Sequence, residues 1–324
     1  MKLLRRQFLH LVAGAGALPA VSRIAWAQAY PTRPVRIVVT FPAGSTSDIL
    51  ARPFAQWLQE RLGQPFVIDN RPGAGGTIGT EAAVRASPDG YTLLLVAGAH
   101  TVNATLYQLS FNFIRDIVPI AGISRETAVM TVNPSFPAKT VPDFIAHAKA
   151  NPGKINMASA GVGSPSHVTG ELFKMMTGVN MVHVPYRGSP PAFTDLIAGQ
   201  VQVTFQTMAA SIAHVRSGTL RALAVTTTAR SEVLPDLPSV SEFVSGYEAS
   251  AVWGLGAPRN TPAEVIEKLN KEMNAALADP KLKGRLTDMG ISVLGGSPAE
   301  FGQLIVDETE KWGKVIRAAN IKPE

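Results

Sequence analysis

Three stretches of the chain set hydroxyl side chains just ahead of a segment with helical apolar spacing: Ser45-Thr46-Ser47 before Asp48, Ser164 before Pro165, and Ser189 before Pro190. Ser or Thr in that position caps a helix and proline is favoured at the first helical position, so each stretch reads as a helix entrance. Helix N-termini leave unpaired N–H groups and a partial positive charge, which together attract an anion such as a carboxylate. Entrances that faced each other would make a carboxylate site, although each one taken singly serves first to start its own helix. Asp48 carries two readings. It can receive a cationic group, or it can stabilise the macrodipole as an acid in the first turn.

Other chemistries fail on spacing. The glycine loop Gly73-Ala74-Gly75-Gly76 lacks the third glycine of a dinucleotide fingerprint, because Ile78 stands there, and Gly79-Thr80-Glu81 has no lysine for a phosphate loop. Neither Ser159, with Met157 two positions before it, nor Ser164, with Ser166 two positions after it, sits in a Gly-x-Ser-x-Gly elbow. The histidines beyond His10 (His100, His147, His167, His183 and His214) show no ligand-type pairing, and cysteine is absent, which excludes disulfides and thiolate chemistry. The chain is therefore expected to be no enzyme and to hold no cofactor or metal, with a triad assembled from distant segments left open.

The entrances need elements to hold them. Val35–Val39 is a β-branched run leading through Phe41-Pro42-Ala43-Gly44 into a helix over Thr46–Leu62 that stops at Gly63, with Pro53 expected to bend it or delay its start. A strand over 66–69, the glycine loop, a helix over 77–86 and a strand over 91–96 complete a βαβαβ pattern, which implies a parallel sheet flanked by helices. The same grammar recurs with strands at 155–158, 181–184 and 201–205 and helices at 165–176 and 190–198. Extended segments at 120–133 and 251–257 are expected to cross between two lobes, and helices over 262–278 and 298–319 to rejoin the first. The predicted class is α/β. Lobe one takes residues 28–125 and 251–324, and lobe two takes 126–250.

The N-terminal end reads as an export signal. Arg5-Arg6 precede a short apolar run to Val21, Ala25-Trp26-Ala27 offers a cleavage site, and no acidic residue occurs before Asp48. Arg5-Arg6-Gln7-Phe8-Leu9 resembles a twin-arginine signal, though the usual Ser or Thr before the arginines is missing. With the signal's Lys2, Arg5, Arg6 and Arg23 set aside, 26 of the 30 Lys and Arg remain against 24 Asp and Glu. That near-neutral balance and the scattered basic residues offer nothing to a nucleic acid. No apolar run of membrane-spanning length follows Gln28, so a soluble periplasmic monomer is expected.

Longer motifs carry a resemblance. Tyr30-Pro31-Thr32-Arg33-Pro34, Asn70-Arg71-Pro72-Gly73-Ala74-Gly75-Gly76, Pro88-Asp89-Gly90-Tyr91, His183-Val184-Pro185-Tyr186-Arg187-Gly188 and Leu220-Arg221-Ala222-Leu223-Ala224-Val225-Thr226 are similar to those of the Bug (TctC-like) receptors of tripartite tricarboxylate transporters. The resemblance runs from Tyr30 to the C-terminus. It implies a type II periplasmic-binding-protein fold: two α/β lobes with parallel-rich sheets, joined by crossing strands, with a ligand cleft between them. It also implies capture of an organic, aromatic, amino or nicotinate-like acid and transfer to membrane transporter subunits or to a sensor protein.

Carried onto this chain, the resemblance assigns one end of the ligand to Phe41, Ala43, Gly44, Ser45 and Asp48, and brings Ser159, Gly163, Ser164 and His167 from the other lobe. Ala97 to His100 line the variable wall, with Tyr186 and Arg187 nearby. Two positions depart from the family pattern: Ser45 replaces a glycine, and Gln206 replaces an aspartate that could pair with a ligand amine, which favours a plain carboxylate or amide.

Overall fold

The computed structural model describes residues 30–323, so the expected export signal and its cleavage site lie outside the described residues. Strand β1 (Val35–Val39) is almost wholly buried and delivers the chain into helix α1 (Thr46–Leu62). Ser45 caps that helix, and Gly63, at φ 74°, ends it by donating its N–H to Gln59 O. Pro53 neither delays nor breaks α1. Leu50, Phe54 and Leu58 bury one face around it and outweigh the lost backbone hydrogen bond. Strand β2 (Phe66–Asn70), helix α2 (Thr77–Val84) and strand β3 (Thr92–Val96) complete the first parallel unit, with β1 between β2 and β3.

Two short helices, α3 (Gly98–Leu106) and α4 (Phe113–Asp116), precede β4 (Ile117–Val132), the long crossing strand. The second lobe follows with α5 (Val141–Ala150), β5 (Ile155–Ser159), α6 (Pro165–Thr177), β6 (Met181–Pro185), α7 (Ser189–Ile197), β7 (Val203–Thr207), α8 (Met208–Arg216) and β8 (Arg221–Val225). The return strand β9 (Ser250–Pro258) runs antiparallel to β4, from the Ile117–Pro258 pair to the Thr127–Ser250 pair. The chain ends with α9 (Ala263–Ala278), α10 (Pro280–Asp288), β10 (Ile291–Gly295) and α11 (Pro298–Ala318).

These strands join in the order β2-β1-β3-β9-β4-β7-β5-β6, with β8 and β10 also paired to β4. Within each lobe the βαβ units are parallel, and the crossing strands supply the antiparallel joints. This is the expected α/β architecture of two lobes joined by crossing strands. One core gathers Ile37, Leu50, Phe54, Leu95 and Leu269; another gathers Met130, Phe144, Met157, Phe173 and Tyr247.

The last helix departs from the expected division. Its first half packs Phe301 and Ile305 against Val38 and Leu94 of lobe one, whereas Trp312 and Ile316 enter the core of lobe two beside Val102 and Leu106 of α3. A helix of 21 residues reaches about 30 Å at 1.5 Å per residue, long enough to lie along both lobes. It ties them together.

Candidate functional site

Five helices begin where the C-terminal ends of β1, β3, β5, β6 and β7 meet between the lobes. The residues at or beside their starts are Ser45, Thr46 and Ser47 of α1, Ala97 of α3, Pro165 and Ser166 of α6, Ser189 of α7 and Thr207 of α8. Together with Phe41, Ala160, Gln206 and Trp253 they line a narrow cavity of about 30 Å³. The carboxyl ends of parallel strands are where α/β sheets bind ligands, because the strand-to-helix turns place backbone donors there. Among the described residues no charged side chain lines this cavity. Its positive character comes from helix ends alone, each worth roughly half an elementary charge.

On the lobe-one side, Ser47 Oγ accepts from the Trp253 indole N–H at 3.1 Å, and Trp253 comes from the return strand β9. Thr46 reaches across to the second lobe, its Oγ1 lying 2.5 Å from Thr207 Oγ1. Asp48 lies behind the loop and outside the cavity lining. It accepts from the Gly44 N–H at 3.0 Å, from Arg52 at 2.8 and 2.9 Å and from Asn70 Nδ2 at 3.2 Å. Burial works to raise its pKa, but those donors, Arg52 foremost, outweigh it and hold the carboxyl below its ordinary value. Its acceptor sites are spent on shaping the first loop. Ala43 and Gly44 are exposed at the tip of that loop, outside the cavity lining.

On the lobe-two side, Ser164 caps α6 through its Oγ, which accepts from the His167 N–H. Ser166 Oγ accepts from the Ala160 N–H at 2.9 Å. Ser189 does not cap α7 as expected. That role falls to Gly188, and Ser189, inside the first turn, donates its hydroxyl to Gln206 Oε1 at 3.0 Å. Gln206 is buried and lines the cavity, and its Nε2 has no hydrogen-bond partner.

Several expected residues stand one layer back. Gly163 donates its N–H to His167 Nδ1 at 3.2 Å, and the His167 ring stacks on His183 at 3.8 Å with 8° between planes. Burial, above all, pulls His167 down to about 3 and His183 down to about 4, so both rings are neutral at pH 7. Ser159 Oγ and His183 Nε2 hydrogen-bond at 2.6 Å, a pairing from distant segments that sequence spacing concealed. A nucleophile must face a substrate atom, whereas Ser159 is wholly buried and lines neither this cavity nor the chamber outside it. The pair fastens β5 to β6.

His100 turns away from the expected wall. Its Nδ1 accepts from the Ala97 N–H at 2.8 Å and its ring stacks on Phe113 at 5.0 Å, inside lobe one. Burial lowers it to about 4. Only Ala97, at the start of α3, reaches the cavity. An outer chamber of about 580 Å³ adjoins across Phe41 and Ala160 and takes in the glycine loop 73–76, Tyr186 and the exposed Arg187. Tyr186 donates its hydroxyl to Asp195 at 2.6 Å. Among the described residues no cluster of His, Cys, Asp or Glu could hold a metal ion.

Sequence reasoning named Thr46 and Ser47 as part of a helix entrance but missed Ala160, Ser166, Thr207 and Trp253 as lining residues. A threonine ahead of the apolar Met208–Arg216 segment was a legible cap signal for α8, and a Trp in a crossing strand needs a partner for its N–H. Ala97 marks an entrance that no capping side chain announces.

Comparison with known proteins agrees with this architecture. Residues 50–321 match the model of the tripartite tricarboxylate transporter family receptor. Protein BugT of Bordetella pertussis is 35% identical over 96% of this chain and 95% of its own. The solved structure of R. palustris Rpa4515 with adipate superposes with a TM-score of 0.89 at 37% identity, covering 91% of this chain and 100% of the other. MatC from Rhodopseudomonas palustris with bound malate superposes at 0.84 and 31% identity, covering 89% and 100%. Two lobes, crossing strands and a cleft at the strand ends thus coincide with a family match over most of the described chain, and the protein belongs to the tripartite tricarboxylate transporter receptor family.

Proposed function

We propose that this receptor captures a small organic carboxylate between the lobes, where the inner cavity meets the outer chamber, outside the cytoplasm, and presents it to a membrane transporter. The observation that carries the reading is the convergence of five helix N-termini, four of them bearing hydroxyl residues, on one cavity that no charged side chain of the described residues lines. Such a site holds an anion by fixed backbone dipoles, which are strong in a space from which lobe closure expels water and which need no buried counter-charge. Closure supplies the signal to the partner, because a ligand that touches both lobes favours the closed state over the open one. The acids named with the R. palustris relatives, adipate and malate, are of the chemical class this geometry accepts. The N-terminal export signal supports a periplasmic location, and no helix among the described residues is long and apolar enough to cross a membrane. The ligand-bound monomer is the form that meets the transporter.

A thermal-shift screen tests the assignment. Mono-, di- and tricarboxylates, aromatic acids, acidic amino acids and neutral sugars are compared, since a ligand of the native state raises its melting temperature. A shift with carboxylates that is lost on Ser47→Ala or Thr207→Ala supports the site. A shift with sugars alone sinks it.

A further inference from the structure

The crossing strand β4 changes lobe within two residues. Glu126 pairs with Ala251 of β9 on one side and with Ile291 of β10 on the other, whereas Ala128 pairs with Thr207 of β7 in lobe two. At this pivot Glu126 is 1% exposed. Its Oε1 accepts from Ser124 Oγ at 3.2 Å, and its buried Oε2 has no hydrogen-bond partner among the described residues. An ionised carboxylate with one oxygen bare in an apolar core is costly, so such a place holds the carboxyl with its proton on. Burial accordingly pushes the group up to about 8, with the Ser124 hydroxyl as the opposing influence.

Lobe two forms part of the cover. Ala209 of α8 belongs to the same apolar core as Ala251 and Ile291. Beside it, Met208 seats on Gly290 so closely that a Cβ there would lie 2.3 Å from Met208 Cγ, and Gly290 is the neighbour of Ile291. A groove of about 370 Å³ runs along this seat, bounded by Thr127 and Ile291 and, from lobe two, by Thr227 and Ser231. Thr127 follows Glu126 in the chain and Ile291 faces it across the ladder, so the groove comes within one residue of the carboxyl. The charged groups nearby are engaged or turned away. Arg125 bonds Ser250 and Glu308, Arg230 pairs with Glu242, and Glu232 and Lys283 are exposed along the groove. His214 and Arg216 stand in the last turn of α8, and α9 sends Leu269 and Met273 into the core.

We propose that Glu126 is a proton-binding site coupled to lobe closure: closing over the ligand takes up one proton at its carboxyl, and opening releases that proton to the groove. When the lobes part, α8 lifts from Gly290 and Ile291 and water reaches the carboxyl, which returns toward its ordinary value of 4.5. The closed state thus keeps the proton to a higher pH than the open state. Ligand affinity is full below the open-state value, falls as pH rises between the two values, and levels above the closed-state one. The proposal rests on capture by lobe closure and is independent of which acid is captured.

Calorimetric titration with adipate at pH 6, 7 and 8, in buffers of different ionisation enthalpy, counts the protons taken up on binding. The wild-type protein is expected to take up about one proton per ligand near pH 7 and to lose about fivefold or more in affinity from pH 6 to pH 8. Glu126→Gln cannot ionise; it is expected to take up none and to bind with the same affinity throughout. Ser124→Ala removes the hydrogen bond that favours the carboxylate and is expected to move the fall in affinity to higher pH. Uptake near zero in the wild type, or equal uptake in folded Glu126→Gln, overturns the proposal. Should Glu126→Gln not fold, Ser124→Ala decides, and a pH profile identical to that of the wild type overturns it. Should adipate not bind, the carboxylate reading loses its support while small-angle scattering without ligand decides the coupling. Expansion of the wild type from pH 6 to pH 9 that is absent in Glu126→Gln supports it, and equal dimensions at both pH values overturn it.

Discussion

Thr46, in the first turn of α1, and Thr207, at the head of α8, meet hydroxyl to hydroxyl at 2.5 Å across the cleft, each on the wall of the inner cavity. One belongs to each lobe, so the bond exists only when the lobes are together. Replacing either by valine keeps the shape and removes the bond, at a cost to the closed state of about 1 kcal/mol or roughly fivefold in ligand affinity. Calorimetry on Thr46→Val and Thr207→Val checks this, with small-angle scattering to report a more open unliganded form. Unchanged affinity in both would show that the threonines do not hold the lobes closed.

A second contact limits closure. Gly188 has φ 119°, a conformation that side chains other than glycine's rarely adopt, and a Cβ there would lie 2.5 Å from Pro42 Cγ of the opposite lobe. Gly188→Ala is expected to wedge the lobes apart and weaken ligand binding more than tenfold. Titration against the best acid, with scattering of the liganded form, is the check.

Asp48 should govern stability in acid. Its folded pKa lies below the ordinary 3.8, so the stability it contributes is fully present above about pH 3.8 and is lost as pH falls through the lower folded value. Asp48→Asn is expected to flatten the acid limb of melting temperature against pH, and to lower stability at pH 7 by about 1–3 kcal/mol as Arg52 and the Gly44 N–H lose a charged acceptor. Melting curves from pH 3 to 7 on both proteins give the comparison.

Glu126, on the crossing strand β4, predicts the opposite slope. It is wholly buried, Ser124 is the one side chain among the described residues that hydrogen-bonds its carboxyl, and burial pushes that carboxyl up to about 8. The native state therefore holds a proton that the unfolded chain releases near pH 4.5, and stability falls as pH rises from there to about 8, then levels. Glu126→Gln, which cannot ionise, is expected to raise the melting temperature at pH 8 and to leave it little changed at pH 4. A variant no more stable than wild type at pH 8 would mean that the carboxylate has a compensating partner.

The elements were legible from the sequence wherever the signal was local. Val35–Val39 and the Ser45-to-Gly63 helix follow from β-branching, apolar spacing, a capping serine and a terminal glycine. Helix α3 was not legible as a helix, because Ala97 supplies no capping oxygen; at α8 the cap signal was there in Thr207, but in the structure its hydroxyl goes to Thr46 instead of to its own helix. At Ser189 the local rule misled. The side chain found a better partner in Gln206, 17 residues on, than in its own first turn.

The sequence by itself determined two βαβ units, the segments that cross between them, an acid-binding chemistry of helix entrances and a family resemblance carried by long motifs. These rest on interactions within a few residues and on composition, which the chain states directly. Only the tertiary structure decided which entrances share a cavity, that Asp48 is saturated, that His100 faces inward, and that Gln206 gives its amide oxygen to Ser189. The shared cavity depends on segments tens to hundreds of residues apart, brought together by the register of β4 against β7 and β9 and by the last helix that ties the lobes, whereas Asp48 and His100 are held largely by neighbours such as Gly44, Arg52 and Ala97 whose geometry the chain does not state. A side chain's identity states what it can bond, and packing decides which of those bonds is already taken.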